Sequence, residues 1–437
     1  MNVASRVAGE RMHGLVRDLF PICRSITGEG LRQTLKEIGK HIPLTLHEVP
    51  TGTPVLDWNV PQEWNIRAAR IETLGGETVV DFADCNLHVV GYSVPVDKIV
   101  SREELAAHVH TLPDQPDLIP YRTAYYAGIW GFCLPHSLWQ RMRDDSYRVI
   151  INSSLAEGSL TYGELSIKGR SSDEVLFSVH CCHPSLANDN LSGVAVATEL
   201  ARSLASGDRR LSYRFLFVPA TIGALTWLAA NEARVSRIAH GLVLTCVGDP
   251  GAFHYKRSRR GNAMIDRAVI SVLSQRRSAH TIMPFSPLGY DERQYCSPGF
   301  DLPVGCFMRS PSGAFPEYHT SADNPDFVTA NALEESLAVL LEVTNVLERN
   351  EVYLRVDGRG EPQLGRRGLY RAVSGQKDQA GAHAALLWVL NLADGEHTLL
   401  DMAERSGLDF EDLAQAAERA SEAKLVRRQG ARRRGNA

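Results

Sequence analysis

Phe177-Ser178-Val179-His180-Cys181-Cys182-His183-Pro184-Ser185-Leu186-Ala187-Asn188-Asp189-Asn190-Leu191-Ser192-Gly193 is the stretch on which the reading of this 437-residue chain turns. The apolar run predicts a strand that ends in a histidine. Six residues after His183, Asp189 opens an Asn-Leu-Ser-Gly turn into a helical run over 194–204. Open α/β sheets form ligand sites in the crevice beyond the carboxyl ends of their strands. Imidazole and carboxylate placed there are donors suited to a divalent metal such as zinc. Taken alone, the pair fits equally well a hydrogen-bonded core histidine and an aspartate that caps the next helix.

A second segment breaks the tie: Phe315-Pro316-Glu317-Tyr318-His319-Thr320-Ser321-Ala322-Asp323-Asn324. With His183, Asp189-Asn190-Leu191-Ser192-Gly193 and His319-Thr320-Ser321-Ala322-Asp323, the chain resembles co-catalytic zinc aminopeptidases of the M28 type. It is most similar to bacterial aminopeptidase-like proteins with a domain of unknown function inserted in the peptidase domain and a C-terminal winged helix. The resemblance covers nearly the whole chain, through the segments at 19–28, 57–66, 130–134, 245–249 and 291–300. It implies an α/β fold, a mostly parallel sheet with helices on both faces.

In that family two histidines bind one metal each and an aspartate bridges them. The resemblance therefore implies one or two zinc ions, with His183, Asp189 and Asp249 at the first site and Asp189 and His319 at the second. Asp249 lies just past an expected strand over 241–247 and reads equally as a turn residue before Pro250. The family keeps its proton-accepting glutamate in a Pro-Glu-Thr-Ile-Gly segment, and here that segment is Pro219-Ala220-Thr221-Ile222-Gly223. Alanine neither accepts a proton nor binds a metal, and losing a general base costs about 10² to 10⁴ in rate. Two acids stand as replacement candidates. Glu317 is two residues before His319 and shares its face if the stretch is extended. Glu292 lies in Asp291-Glu292-Arg293 and reads more simply as part of a salt bridge.

From about 148 onward, strand-like runs alternate with helices of 10 to 15 residues, as in a parallel sheet covered on both faces. The expected organisation is an α/β domain over 1–44 and 121–355, an inserted β-rich domain over 45–120 that helps roof the site, and a winged-helix-like domain over 368–437. Three domains also suit the length at roughly 150 residues each. The third helix of the C-terminal domain holds Asp409, Glu411, Asp412 and Glu418 against Arg419. That charge is wrong for a phosphate backbone, so no nucleic-acid partner is expected. The triplet Arg432-Arg433-Arg434 reads as a solvated tail.

A composition of 44% hydrophobic and 22% charged residues and a net charge of −4 describe a globular protein with no global attraction to nucleic acid or anionic membrane. No apolar h-region opens the chain and no run of 18 apolar residues occurs, so the expected place is the cytoplasm. The eight cysteines form no Cys-x-x-Cys pair and are expected as free, mostly buried thiols. The leading functional expectation is hydrolysis of an amide bond in a small amino-acyl or peptide-like substrate, in specialised-metabolite or surface-polysaccharide biosynthesis. Metal-dependent condensation, cyclisation or acyl transfer is the second, and a non-catalytic binding scaffold the third. Self-association into a homo-oligomer stays open.

Overall fold

The computed structural model describes residues 3–276, 278–369 and 378–429. Its centre is strand Glu174–His180, buried at every position. A strand covered on both faces reads as a continuous apolar run, the pattern of 175–179. It lies between two parallel neighbours, Ser212–Val218 and Ile238–Leu244, and Val304–Met308 extends the parallel set. On one flank Ser159–Ile167 and then Thr45–Pro50 add on antiparallel. On the other, Phe253–Lys256 runs antiparallel to Val304–Met308 and is followed in parallel by His280–Met283. The eight-stranded sheet is thus mixed, with a parallel centre. The expected parallel character holds for the four fully or mostly buried central strands. The outer strands at 253–256 and 280–283 have only four residues each, too few to show a period.

A four-stranded antiparallel sheet forms the β-rich insertion, in the order Thr78–Asp81, Glu63–Thr73, Ser146–Ala156, Val96–Ser101. The expected 45–120 boundary changes at both ends. Thr45–Pro50 belongs to the large sheet, and Ser146–Ala156, expected to start the α/β pattern, belongs to the inserted one. Tyr147, Val149 and Ile151 pack into the insertion's own core with Ala69, Ile71, Val100 and Phe132. Alternation shows that a segment is a strand but not which sheet it joins.

The C-terminal module has helices Asp378–Leu392, Leu399–Ser406 and Phe410–Glu422 and a three-stranded sheet. Its central strand is Val352–Arg355, paired with Asp394–Thr398 and Val426–Gln429, so the module starts at 352, before the polar stretch 356–367, and not at 368. Glu411 and Glu418 on its third helix both pair with Arg349. The chain divides into two compact units, 1–265 with 279–338 and 266–278 with 339–437. Residues 432–434 lie outside the described residues. All eight cysteines are free. Among the described residues no helix is long and apolar enough to cross a membrane.

Candidate metal centre

The central strand ends at His180, which is fully buried, and the chain then crosses through Cys181 to Leu186 into the loop that carries Asp189. Every polar side chain of that loop has a structural partner. Asn188 accepts from Gly248 N–H at 2.9 Å and donates to Asp249 at 2.9 Å. Asn190 donates to the Leu244 carbonyl at 2.9 Å and accepts from the Gly193 and Cys246 N–H groups. Ser192 donates to the Asn188 carbonyl and accepts from Val247 N–H. A Cβ on Gly193 would come within 2.4 Å of the Asn190 amide and 2.7 Å of the Leu244 carbonyl, so only glycine fits. The Asn-Asp-Asn-Leu-Ser-Gly sequence is therefore a clasp onto the end of the neighbouring strand that leaves Asp189 alone to face the crevice.

The second motif closes the clasp. The Asp323 carboxylate accepts from the main-chain N–H of Asn188 at 2.5 Å and of Asp189 at 3.0 Å, and its carbonyl accepts from Ala187. Chain 319–321 is held in turn by 119–121, through Tyr121 N–H to the His319 carbonyl and Ser321 N–H to the Ile119 carbonyl. Segments about 130 residues apart thus meet at one carboxylate: His180 Nε2 lies 2.8 Å from Asp189 Oδ1, and His319 Nε2 lies 2.9 Å from Asp189 Oδ2. The His183 ring stands 4.8 Å from that of His180 and 5.4 Å from that of His319. Ligand atoms of His180, His183 and Asp189 all lie within 4.8 Å of one another.

The centre is walled by tyrosines. Tyr290 stacks on His180 and Tyr318 on His319, while Tyr121 packs against both His183 and His319. The Tyr290 hydroxyl donates to Asp189 Oδ2 at 2.8 Å and is hydrogen-bonded to that of Tyr318. Burial works to raise the Asp189 carboxyl, but His183, His180 and His319 outweigh it and hold the group well below the usual carboxylate range. Burial pushes His183 well below its ordinary value, against the pull of Asp189. A charged carboxylate beside a neutral imidazole is the protonation pattern that metal ligands require. The donor set fits zinc, which takes imidazole nitrogen and carboxylate oxygen.

The structure brings together three of the expected ligands, His183, Asp189 and His319, and adds His180, which the resemblance did not name. Its signal was its place as the last residue of an apolar strand. Asp249 is not brought in. Its carboxylate accepts from Asn188 Nδ2, Gly251 N–H, Ser310 N–H and Ser310 Oγ, and it anchors the clasp. Glu292 is buried, pairs with Lys256 and accepts from Tyr290 N–H, so the salt-bridge reading describes it, with a partner distant in sequence. Glu317 lies in a turn and not in an extended stretch, which removes the alternation argument for its facing the site. Its carboxylate makes no hydrogen bond or ion pair with any described residue. Ala220 is partly exposed, and its N–H donates to Cys182 Sγ at 3.3 Å. Cys182 is packed in the core, and its burial pushes the thiol up to about 12, away from the thiolate form that a nucleophile needs. Asp291, whose role the motif did not indicate, is fully buried, and neither carboxylate oxygen has a hydrogen-bond partner among the described residues.

Comparison with known proteins agrees with this architecture. Residues 13–350 match a family model described as a domain of unknown function, DUF4910, and residues 351–428 match a winged helix-turn-helix. A Clostridium acetobutylicum protein whose name suggests polysaccharide biosynthesis and an aminopeptidase-like domain is 48% identical over 414 residues, 95% of each chain. A crystal structure of a suggested peptidase from C. acetobutylicum superposes with a TM-score of 0.93 at 46% identity, covering 97% of each chain. The zinc aminopeptidase BSAP from Bacillus subtilis has the same fold, with a TM-score of 0.57 at 11% identity over 78% of this chain and 94% of that one. An aminopeptidase-like α/β domain thus carries the His-Asp centre, and the chain belongs to the DUF4910 family, with a winged helix-turn-helix at its C-terminal end.

Proposed function

We propose that the protein is a zinc-dependent hydrolase that cleaves an amide bond in a small amino-acyl substrate. The observation that carries this reading is the convergence of His180, His183, Asp189 and His319 at the carboxyl end of the central strand. His180, His183 and Asp189 would hold the metal, with His319 on the far oxygen of Asp189. Bound zinc would supply Lewis acidity and lower the pKa of a coordinated water to about 7. The clasp residues Asn188, Asn190 and Asp323 hold Asp189 in place, and the rings of Tyr121, Tyr290 and Tyr318 exclude water from one side. The name of the C. acetobutylicum relative supports a role in polysaccharide biosynthesis; an amino-acyl intermediate as substrate and the cytoplasm as location belong to the same proposal.

Ala220 favours a second reading, in which the same centre promotes condensation, cyclisation or acyl transfer of an amino-acyl intermediate. Such a reaction does not need a residue to take a proton from water. Hydrolysis of aminoacyl p-nitroanilides separates the two. Under the hydrolase reading the wild type turns over slowly, and Ala220→Glu raises kcat by about 10² or more, the size of a general-base contribution. If Glu317 already serves as base, Ala220→Glu changes little and Glu317→Gln abolishes turnover. A zinc-loaded wild type that hydrolyses nothing, with neither variant altering this, replaces hydrolysis with the second reading.

A further inference from the structure

We infer that the centre holds a single metal ion, at His180, His183 and Asp189, and that His319 positions Asp189 and does not ligate a second ion. The inference rests on the metal reading proposed above and departs from the paired ions that the resemblance implies. A catalytic zinc site needs three protein ligands and an open position. His180, His183 and Asp189 supply the three, their ligand atoms already within 4.8 Å of one another.

A second ion would have to be built on Asp189 Oδ2 and His319, and among the described residues His319 belongs to no group of three donor atoms within 4.8 Å of one another. The unpartnered carboxylate of Asp291, which feels the pull of His180, is not in such a group either. Oδ2 already accepts from both His319 Nε2 at 2.9 Å and the Tyr290 hydroxyl at 2.8 Å. That hydroxyl is held by the stack of its ring on His180 and by its bond to Tyr318. Asp249 has four donors on its carboxylate and is tied to the clasp. Glu292 is paired with Lys256. Position 220 has no donor atom, and Glu317 sits in a turn with no bond to the centre. Two protein ligands sharing one oxygen with a tyrosine hydroxyl make a poor zinc site. They make a good outer partnership for a ligating carboxylate, because metal-bound carboxylates are themselves hydrogen-bonded and those partners tune affinity about 10- to 100-fold.

The test is zinc stoichiometry in the full-length protein, read without activity. Chelator-stripped protein is titrated with zinc by calorimetry against a competing chelator, and zinc is counted by mass spectrometry after desalting. The expected result is one zinc per chain in the wild type and one, bound about 10- to 100-fold more weakly, in His319→Ala. His319→Gln, whose amide can still donate to Asp189, recovers part of that loss. His183→Ala abolishes tight binding. Circular dichroism and thermal unfolding confirm that each variant is folded, and the wild-type stoichiometry decides the matter if His319→Ala is not. Two zinc ions per wild-type chain, falling to one in His319→Ala, overturn the single-ion inference and leave the metal reading standing. No zinc in the wild type overturns both.

Discussion

Replacing Asp291 with asparagine should make the protein more stable at alkaline pH relative to acid pH. Asp291 is fully buried and, among the described residues, both carboxylate oxygens lack a hydrogen-bond partner. Burial pushes its carboxyl up from an ordinary 3.8 to about 7, against the pull of His180; Glu292 adds to the rise and Arg293 opposes it. A folded-state value above the unfolded one means that the folded chain binds the extra proton. The stability it contributes is fully present below about pH 4 and is lost as pH rises through about 7. A displacement of about three units at about 1.4 kcal/mol each totals about 4 kcal/mol at most, of which about 2–3 kcal/mol falls between pH 5 and 8. Asparagine keeps the shape and cannot ionise, and its unpaired amide costs about 1–3 kcal/mol equally at every pH. Urea unfolding of the metal-stripped wild type and Asp291→Asn at pH 5, 6, 7 and 8 reads the difference directly. The wild type should lose about 2–3 kcal/mol more than the variant across that range. Parallel profiles for the two proteins would refute the reasoning, since they would mean that Asp291 ionises in the folded state as easily as in water.

Two further outcomes follow from the clasp and the C-terminal module. Asp323→Ala leaves the buried N–H groups of Asn188 and Asp189 without acceptors; at about 1–3 kcal/mol each, unfolding stability should fall by about 2–6 kcal/mol. Zinc affinity should drop tenfold or more with it, and an unchanged affinity in calorimetry would show that the loop holds its shape unaided. The full-length protein should show no salt-sensitive affinity for duplex DNA in fluorescence anisotropy at about 50 mM salt, because the third helix of the winged module is acidic and Arg349 occupies two of its acids. Micromolar binding that weakens steeply with added salt would reverse that assignment.

The amino-acid order, through the family resemblance that its motifs carry, determined the class of fold and supplied the candidate site residues. The largely apolar run at 175–179 and the polar turn of 188–193 follow from local chemistry, since a strand buried on both faces must be mostly apolar and a strand-end clasp needs side chains that bond main chain; the histidine at 319 was picked out by the family resemblance. It also showed what is missing, since Ala220 has no proton acceptor in any fold. Only the tertiary structure decided which groups meet. His180 and His183 look alike in the sequence, but the strand ends at His180 and directs its imidazole to Asp189 at 2.8 Å. Asp249 looked like a ligand beside a strand end, but Asn188 and Ser310, 61 residues away on either side, already fill its oxygens. Tyr121, Tyr290 and Tyr318 carry no spacing that marks them; they reach the centre on three separate segments. Strand Ser146–Ala156 and strand Val352–Arg355 were each read into the wrong part of the chain, because hydrogen-bonded pairing is a relation between distant segments. Apolar pattern specifies that a segment is buried; the partner that buries it is decided by the closing of the chain on itself.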